Sequence, residues 1–524
     1  MRNTKKVIFF LCTFAASAAF FALLEWSPSF ADPDSYYHAK VALLMAEQRG
    51  PIMAFPWLPL TSLADIFIDH HLLYHILLIP FVTAFDPLVG IKIAAVLFAS
   101  GFVTFFAWIL FQIFKELPQK FFLAGLGVVL LLTNHIFVSR MAIPKAGPLA
   151  LALLFAALWC ILKNRPIILG IVSFIAVWTH GSWPMILVAS WLAWGVHAFS
   201  PGALREIKVP LVATLGVLAG LILNPYFPKN LEFYWIQIGK IAVANTASAT
   251  RVGSEWYSLG LSTVPLNAVV LMLFIGALFV TFLRIQKLIK VYDRTQVPTT
   301  VFFGVFSLLL LALSVRSQRY LEYFVPVAVL FSLVSFAPLL DRLPQALQQW
   351  RAFFLSARDL SPYVLCAVIG IGYGVIIVTG FNVAHAVAIF HEDPYFPIAD
   401  YHGAGEWIAQ NIPTGSRIFH DRWDDFPALF YFSDRTTYIS GLDPRFLTEK
   451  NPTLDKTFAE ISTGTKPDVV ERIIKDFGSE FVFTRIKRSA LTLQLEKDKD
   501  AKKVYEDTGS AVYHLSTRPS APDR

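Results

Sequence analysis

The chain has 524 residues, 56% of them hydrophobic and 15% aromatic, with a mean hydropathy of +0.56; no soluble fold hides that much apolar surface, so its repeated apolar runs read as membrane-spanning helices. The formal net charge of +7 does not signal nucleic acid, because the Lys and Arg residues fall in short clusters between apolar runs and form no basic groove interleaved with aromatics. Cys12, Cys160 and Cys366 all lie inside apolar runs, which excludes a disulfide framework and a cysteine-based zinc site.

The predicted fold is a polytopic α-helical membrane protein of about eleven transmembrane helices, amino terminus inside and carboxyl terminus outside, with a small C-terminal extracytoplasmic α/β domain. Arg2, Lys5 and Lys6 precede an apolar run from Val7 to Leu24, so residue 25 onward lies outside by the positive-inside rule. A cleaved signal peptide is the rival reading, since Ser29-Phe30-Ala31 resembles a cleavage site, but the run is long for an h-region. Either reading leaves Asp32 and Asp34 outside. A large first external loop, 25–88, follows: residues 35–48 have helical period without the length to span, Gly50-Pro51 and Pro56-Trp57-Leu58-Pro59 break the chain, and His70 to Phe85 is a short apolar helix at the outer interface.

Further spans are expected at about 89–113, 120–136, 148–163, 166–180, 184–199, 209–225, 264–284, 299–315, 320–340 and 361–381. Lys115/Lys120, Lys163/Arg165, Arg205/Lys208, Arg284 to Arg294 and Arg342 to Arg358 then fall on alternate, cytoplasmic connections. An external loop at 226–263 has Glu232 and Glu255 as its only carboxylates. The membrane domain is read as 1–385. Residues 386–524 are charged, with strand-like stretches at Ser416–His420, Thr437–Ser440, Glu480–Arg485 and Ala511–Leu515 and an amphipathic helix near Pro467–Phe477. No internal repeat or low-complexity tract stands out.

Sorted by side, one face collects Asp32, Asp34, His38, Asp69, His70, His71, His75, Arg140, Lys145, His180, Glu255, Arg316, Arg319 and Trp423-Asp424-Asp425. Ionisable groups beside lipid are costly unless they face a polar cavity. Carboxylates suit a divalent cation, Mg²⁺ or Mn²⁺, that neutralises developing phosphate charge, and arginine binds phosphate in a bidentate fork. Each group also has a purely structural reading. Asp32 and Asp34 cap the helix starting near Ser35, Asp69 caps another, Arg316 and Arg319 snorkel, Glu255 is a solvated loop charge, and His70 and His71 diverge on a helix. Their gathering on one face favours an active site.

In chain order these motifs resemble a C-type membrane glycosyltransferase, specifically the catalytic subunit of oligosaccharyltransferase. Asp34-Ser35-Tyr36-Tyr37 sits where that family has the acidic residue of its first external loop, and Ser139-Arg140 precedes the second. Thr179-His180-Gly181-Ser182-Trp183 is similar to a Trp/Gly-rich turn, Gly253-Ser254-Glu255 resembles the motif ending the fifth external loop, and Arg316-Ser317-Gln318-Arg319-Tyr320 followed by Pro326 is similar to the span whose arginine contacts the lipid-linked phosphate. Ile418 to Phe426, with Asp434-Arg435-Thr436, looks like the Trp-Trp-Asp segment.

The resemblance implies a transferase using a polyprenyl-phosphate or -pyrophosphate sugar donor and a protein, lipid or polysaccharide acceptor. Asp34, Asp32 and Glu255 would be catalytic; Arg319, Arg316, Lys145 and Arg140 would bind the donor phosphate; Trp423 and Asp424 would bind the acceptor. Where the family carries an acidic metal motif this chain has Pro144-Lys145-Ala146-Gly147, so either Asp34, Asp69 and His71 hold the metal or Lys145 supplies the cation itself. Arg422 replaces the first Trp of the Trp-Trp-Asp segment. The implied location is the bacterial inner membrane, with the site on the extracytoplasmic side. A lipid-linked sugar transporter would place its charges near the bilayer midplane in repeated halves, and a scaffold has no reason to gather Asp34, Glu255 and Arg319.

Overall fold

The structure, a computed structural model, describes residues 2–198, 207–260, 263–286, 296–340, 361–391, 396–486 and 489–516; Arg205, Arg294 and the cluster Arg342 to Arg358 lie outside them. It is a polytopic helical membrane protein with a small β-sheet region toward the C-terminus. Six described helices are long and apolar enough to cross a membrane, and a bent pair makes a seventh.

Helix α1 (Arg2–Glu25) packs along α5 (Pro87–Ile113), and the first loop fills the sequence between them with β1 (Ser29–Phe30), α2 (Asp34–Gln48), α3 (Leu63–Ile66) and α4 (Leu72–Ala84). Asp86 starts α5 by accepting from Leu88 N and Val89 N, both at 3.1 Å, which satisfies otherwise orphaned donors of its first turn. Lys92 on α5 reaches back into the loop. Its Nζ donates to the carbonyls of Ser27 (2.5 Å), Ser29 (2.8 Å) and Glu25 (3.2 Å), fixing the chain just before Asp32.

The segment read as one span at 120–136 is broken. Helices α6 (Lys120–Leu132) and α7 (His135–Ala142) meet at 82°, because Asn134 leaves helical geometry and its Oδ1 caps Phe137 N at 3.0 Å. The bend carries Arg140 to Glu255 and Glu322.

Helices α8 (Gly147–Leu162), α9 (Pro166–Thr179), α10 (Pro184–Ala198) and α11 (Lys208–Ile222) follow, with 16, 14, 15 and 15 residues. At 1.5 Å per residue the longest reaches about 24 Å, short of a hydrocarbon core of roughly 30 Å. Two of them pack backbone to backbone: a Cβ on Gly216 would lie 2.1 Å from the Gly170 oxygen, a close approach only small residues permit.

Helix α12 (Lys229–Tyr234) opens the second loop; α13 (Ala268–Ile285), α14 (Gln296–Arg316), α15 (Leu321–Leu340) and α16 (Ser361–His391) complete the helical part. Strand β2 (Phe396–Pro397) pairs antiparallel with β1, so the polypeptide leaving α16 is stitched to the first loop.

Beyond it lie α17 (His402–Asn411), β3 (Arg417–His420), α18 (Phe426–Phe432), β4 (Thr437–Tyr438), α19 (Arg445–Lys450), α20 (Pro452–Ser462), α21 (Val469–Phe477), β5 (Phe481–Arg485), α22 (Ala490–Leu495), β6 (Ala501–Glu506) and β7 (Ser510–Leu515). The sheet runs β4-β3-β5-β7-β6, parallel on one side and antiparallel on the other. Strand β6 is the one sequence patterning missed. Ala-Lys-Lys-Val-Tyr-Glu is a charged edge strand, and lysine on an edge discourages pairing with other chains.

Phe419, Phe458, Phe477 and Val482 form the core of this unit. A separate aromatic cluster of Tyr36, Tyr37, Phe55, Phe426 and Phe430 clamps it onto the first loop.

Candidate active site

The turn Asp32-Pro33-Asp34 enters α2 with Asp34 N donating to Asp32 Oδ1 at 2.9 Å. Both side chains then converge on one ammonium. Lys145 Nζ lies 2.8 Å from Asp32 Oδ1 and 2.8 Å from Asp34 Oδ2. Lys145 is held in the short turn between α7 and α8, where its backbone N donates to the Ile143 carbonyl at 2.7 Å. Burial pushes the Asp34 carboxyl up to about 6, with Lys145 opposing and Asp32 and Glu255 reinforcing the rise.

Next to this lies a second network. Arg140 Nε donates to Glu322 Oε2 at 2.7 Å and its terminal nitrogen pairs with Glu255 Oε2; Arg319 donates to Glu255 Oε1 at 3.0 Å. Burial alone would raise the Glu255 carboxyl, but the charges of Arg319, Arg140 and Lys145 hold it well below the usual range. Two guanidiniums lie over the Trp256 ring, Arg319 at 4.9 Å and Arg445 at 4.5 Å from its centroid. Arg445 is clamped by Asp443 at 2.9 and 2.7 Å, so the C-terminal unit reaches the site through this stack.

A third group is made of imidazoles. His75 Nδ1 donates to Asp69 Oδ2 at 2.7 Å, and its Nε2 lies 2.7 Å from His38 Nδ1. A carboxylate only accepts, so His75 carries its proton on Nδ1 and its Nε2 accepts a hydrogen bond from His38 Nδ1. His70 and His71 do not diverge as a helix would require: they precede α4, and their rings touch with centroids 3.9 Å apart. His71 also faces His180 at 5.2 Å.

The structure therefore brings Asp32, Asp34, Lys145, Arg140, Glu255 and Arg319 into two adjoining networks from four separate stretches of chain. Arg316 is outside the cluster, exposed and donating to the Ala244 carbonyl. Trp423 lies against the Glu255 loop through Nε1 to the Arg251 carbonyl at 2.8 Å, while Asp424 is engaged by Arg422 at 2.9 and 2.6 Å.

Asp34, Asp69 and His71, the residues read as metal ligands, are each engaged by protein partners. Asp34 is paired with Lys145, both oxygens of Asp69 are taken by His71 N (3.0 Å) and His75, and among the described residues no group of three His, Cys, Asp or Glu side chains converges on one point.

Glu322 was missed from sequence. Its signal was a lone carboxylate inside an otherwise apolar span, three residues beyond Arg319, a placement lipid tolerates only with a partner.

No family model and no curated protein sequence matches the chain. Solved structures do. The oligosaccharyltransferase AglB from Archaeoglobus fulgidus, in complex with an inhibitory peptide and a dolichol-phosphate, superposes with a TM-score of 0.62 at 12% identity, over 98% of this chain and 74% of that one. ArnT from Cupriavidus metallidurans bound to undecaprenyl phosphate gives 0.56 at 13% identity, over 99% and 100%. Both are C-type membrane glycosyltransferases, and the chain has their fold.

Proposed function

We propose that the protein transfers a sugar or glycan from a polyprenyl-phosphate or polyprenyl-pyrophosphate donor to an acceptor on the outer face of the bacterial inner membrane, with its amino terminus inside, its carboxyl terminus outside and about eleven spans. The supporting observation is that acid, base and phosphate-binding groups distant in sequence form two adjacent ionic networks, in a fold shared with enzymes whose structures were solved with lipid phosphates.

In this reading Arg319 and Arg140 hold the leaving phosphate, Lys145 adds the third positive charge, and Arg316 attracts the donor at the rim. Asp34 takes the proton of the attacking acceptor group as its bond to the sugar carbon forms and the sugar–phosphate bond breaks, and Asp32 orients it through the shared lysine. Carboxylates near the sugar carbon stabilise its oxocarbenium-like charge. Glu255 closes the outer side, and Trp423 with Asp424 borders the acceptor's approach. Lys145 occupies the position between two carboxylates that a divalent cation takes in metal-dependent designs, so its ammonium serves in the cation's place.

Transfer of a single sugar to lipid or polysaccharide is the second reading, favoured by the match over the full length of the undecaprenyl-phosphate-bound neighbour. Mass spectrometry of glycans in cells lacking the protein decides: loss from protein supports glycan transfer to protein, loss from lipid or polysaccharide supports the second reading, and loss from neither removes both.

A further inference from the structure

The charges of the candidate site do not balance. Three cations, Lys145, Arg140 and Arg319, face four carboxylates, Asp32, Asp34, Glu255 and Glu322, which leaves one negative charge in excess. A lipid-linked sugar phosphate brings at least one more into a recess where like charges repel strongly. Moving one resident anion aside relieves that repulsion.

The geometry singles out which. Asp32 and Asp34 share Lys145, and Glu322 is 2% exposed on α15. Glu255 differs: each of its two oxygens takes a separate guanidinium, as two oxygens of a phosphate would, and at 24% exposed it is as open as Asp34 at 27%, so the paired guanidiniums set it apart. We propose that Glu255 is a built-in surrogate for the donor phosphate, filling the position between Arg140 and Arg319 until the donor displaces it; this rests on the phosphate-binding reading above.

Both arginines are held independently of Glu255. Glu322 fixes Arg140 through Nε at 2.7 Å, and Trp256 supports Arg319, so the receptor geometry persists when the carboxylate leaves. The Glu255 backbone is also pinned. Ser317 Oγ donates to the Glu255 carbonyl at 2.9 Å, Gln318 N to Tyr257 O at 3.0 Å, and Leu259 N to Val315 O at 3.1 Å. Exchange is therefore a rotation of one side chain, with no opening of the loop. The device keeps the two arginines paired in the absence of donor and sets a threshold that weakly charged ligands do not pass.

The test is calorimetric binding of farnesyl phosphate to the purified full-length protein. Glu255→Gln should bind about tenfold tighter than wild type, the effect of removing one competing buried charge, while Glu255→Asp stays near wild type. Arg319→Ala should weaken binding in either background. Glu255→Gln binding equally or more weakly, with Arg319→Ala still impaired, overturns the surrogate role and leaves the phosphate site standing. Arg319→Ala binding normally removes both. A readout that needs no variant is carbodiimide labelling of Glu255, followed by peptide mass spectrometry: farnesyl phosphate should speed it, and protection by the ligand overturns the proposal.

Discussion

Around Lys145 one cation sits between two carboxylates, whereas around Glu255 one carboxylate sits between two cations. The halves adjoin, but they are built for opposite charges. The first has a surplus of negative charge and a carboxyl, Asp34, pushed up toward neutrality, which suits accepting a proton from an incoming nucleophile. The second presents guanidinium forks, which suit a phosphate that gains charge as the sugar departs. In the proposed reaction, separating the two functions lets each pole meet a preorganised field of the right sign.

The sharpest way to break this comparison is Asp34→Asn. If Asp34 is the base, turnover with a labelled polyprenyl-linked donor should fall about 10²–10⁴-fold while thermal unfolding stays unchanged; normal turnover would end its catalytic role. Arg319→Ala probes the other half. The donor KM should rise by roughly two orders of magnitude, with Arg319→Lys recovering only part, because a lysine cannot reproduce the fork. A loss confined to kcat would move Arg319 away from the ground-state phosphate.

Lys145→Met tests how the halves communicate. It leaves Asp32 and Asp34 facing each other without a counter-charge, which should cost about 2 kcal/mol of stability for a partly buried pair. Millimolar Mg²⁺ or Mn²⁺ should restore activity to this variant, while EDTA leaves the wild type untouched. EDTA inhibition of the wild type would reject lysine as the resident cation.

The pH profile follows with its sign. As the proposed base Asp34 works deprotonated, so activity should climb with pH through about 6 in the wild type, and in Lys145→Met the same limb should move to higher pH because the opposing charge is gone. An unmoved limb would assign it to another group.

What sequence made legible was whatever a single segment could signal. Apolar runs announced the helices, alternating β-branched and aromatic stretches announced four of the sheet's strands, and Asp34, Arg140, Lys145, Glu255 and Arg319 stood out because lipid penalises isolated charge. What stayed hidden were relations between segments. The kink at Asn134 is invisible in a run that reads as one span, yet it is what delivers Arg140 to Glu322, 182 residues later. The Asp69–His75–His38 chain needs two segments of the first loop, α2 and the start of α4, folded face to face. His70 and His71 were expected to diverge only because the helix was started too early, before Leu72. Arg316 and Arg319 have the same chemistry and lie three residues apart, but the break at Ser317 turns one outward and the other into the site.

Trp256 is where the smallest effect is expected and where the comparison reaches the C-terminal unit. The ring contacts both Arg319 and Arg445, and Arg445 is fixed by Asp443 and by Asn245 at 3.1 Å. A cation over an indole face contributes about 0.5–2 kcal/mol, so Trp256→Leu, which keeps the site apolar but removes the π face, should raise the donor KM about 2- to 30-fold with little change in kcat. Trp256→Phe should fall between the two. Arg445→Lys should produce the same signature more weakly, since it loosens the ring's other cation contact without touching Arg319. If Trp256→Leu lowers kcat and spares KM, the ring acts on the acid–base half, and the two halves are less separate than their charges suggest.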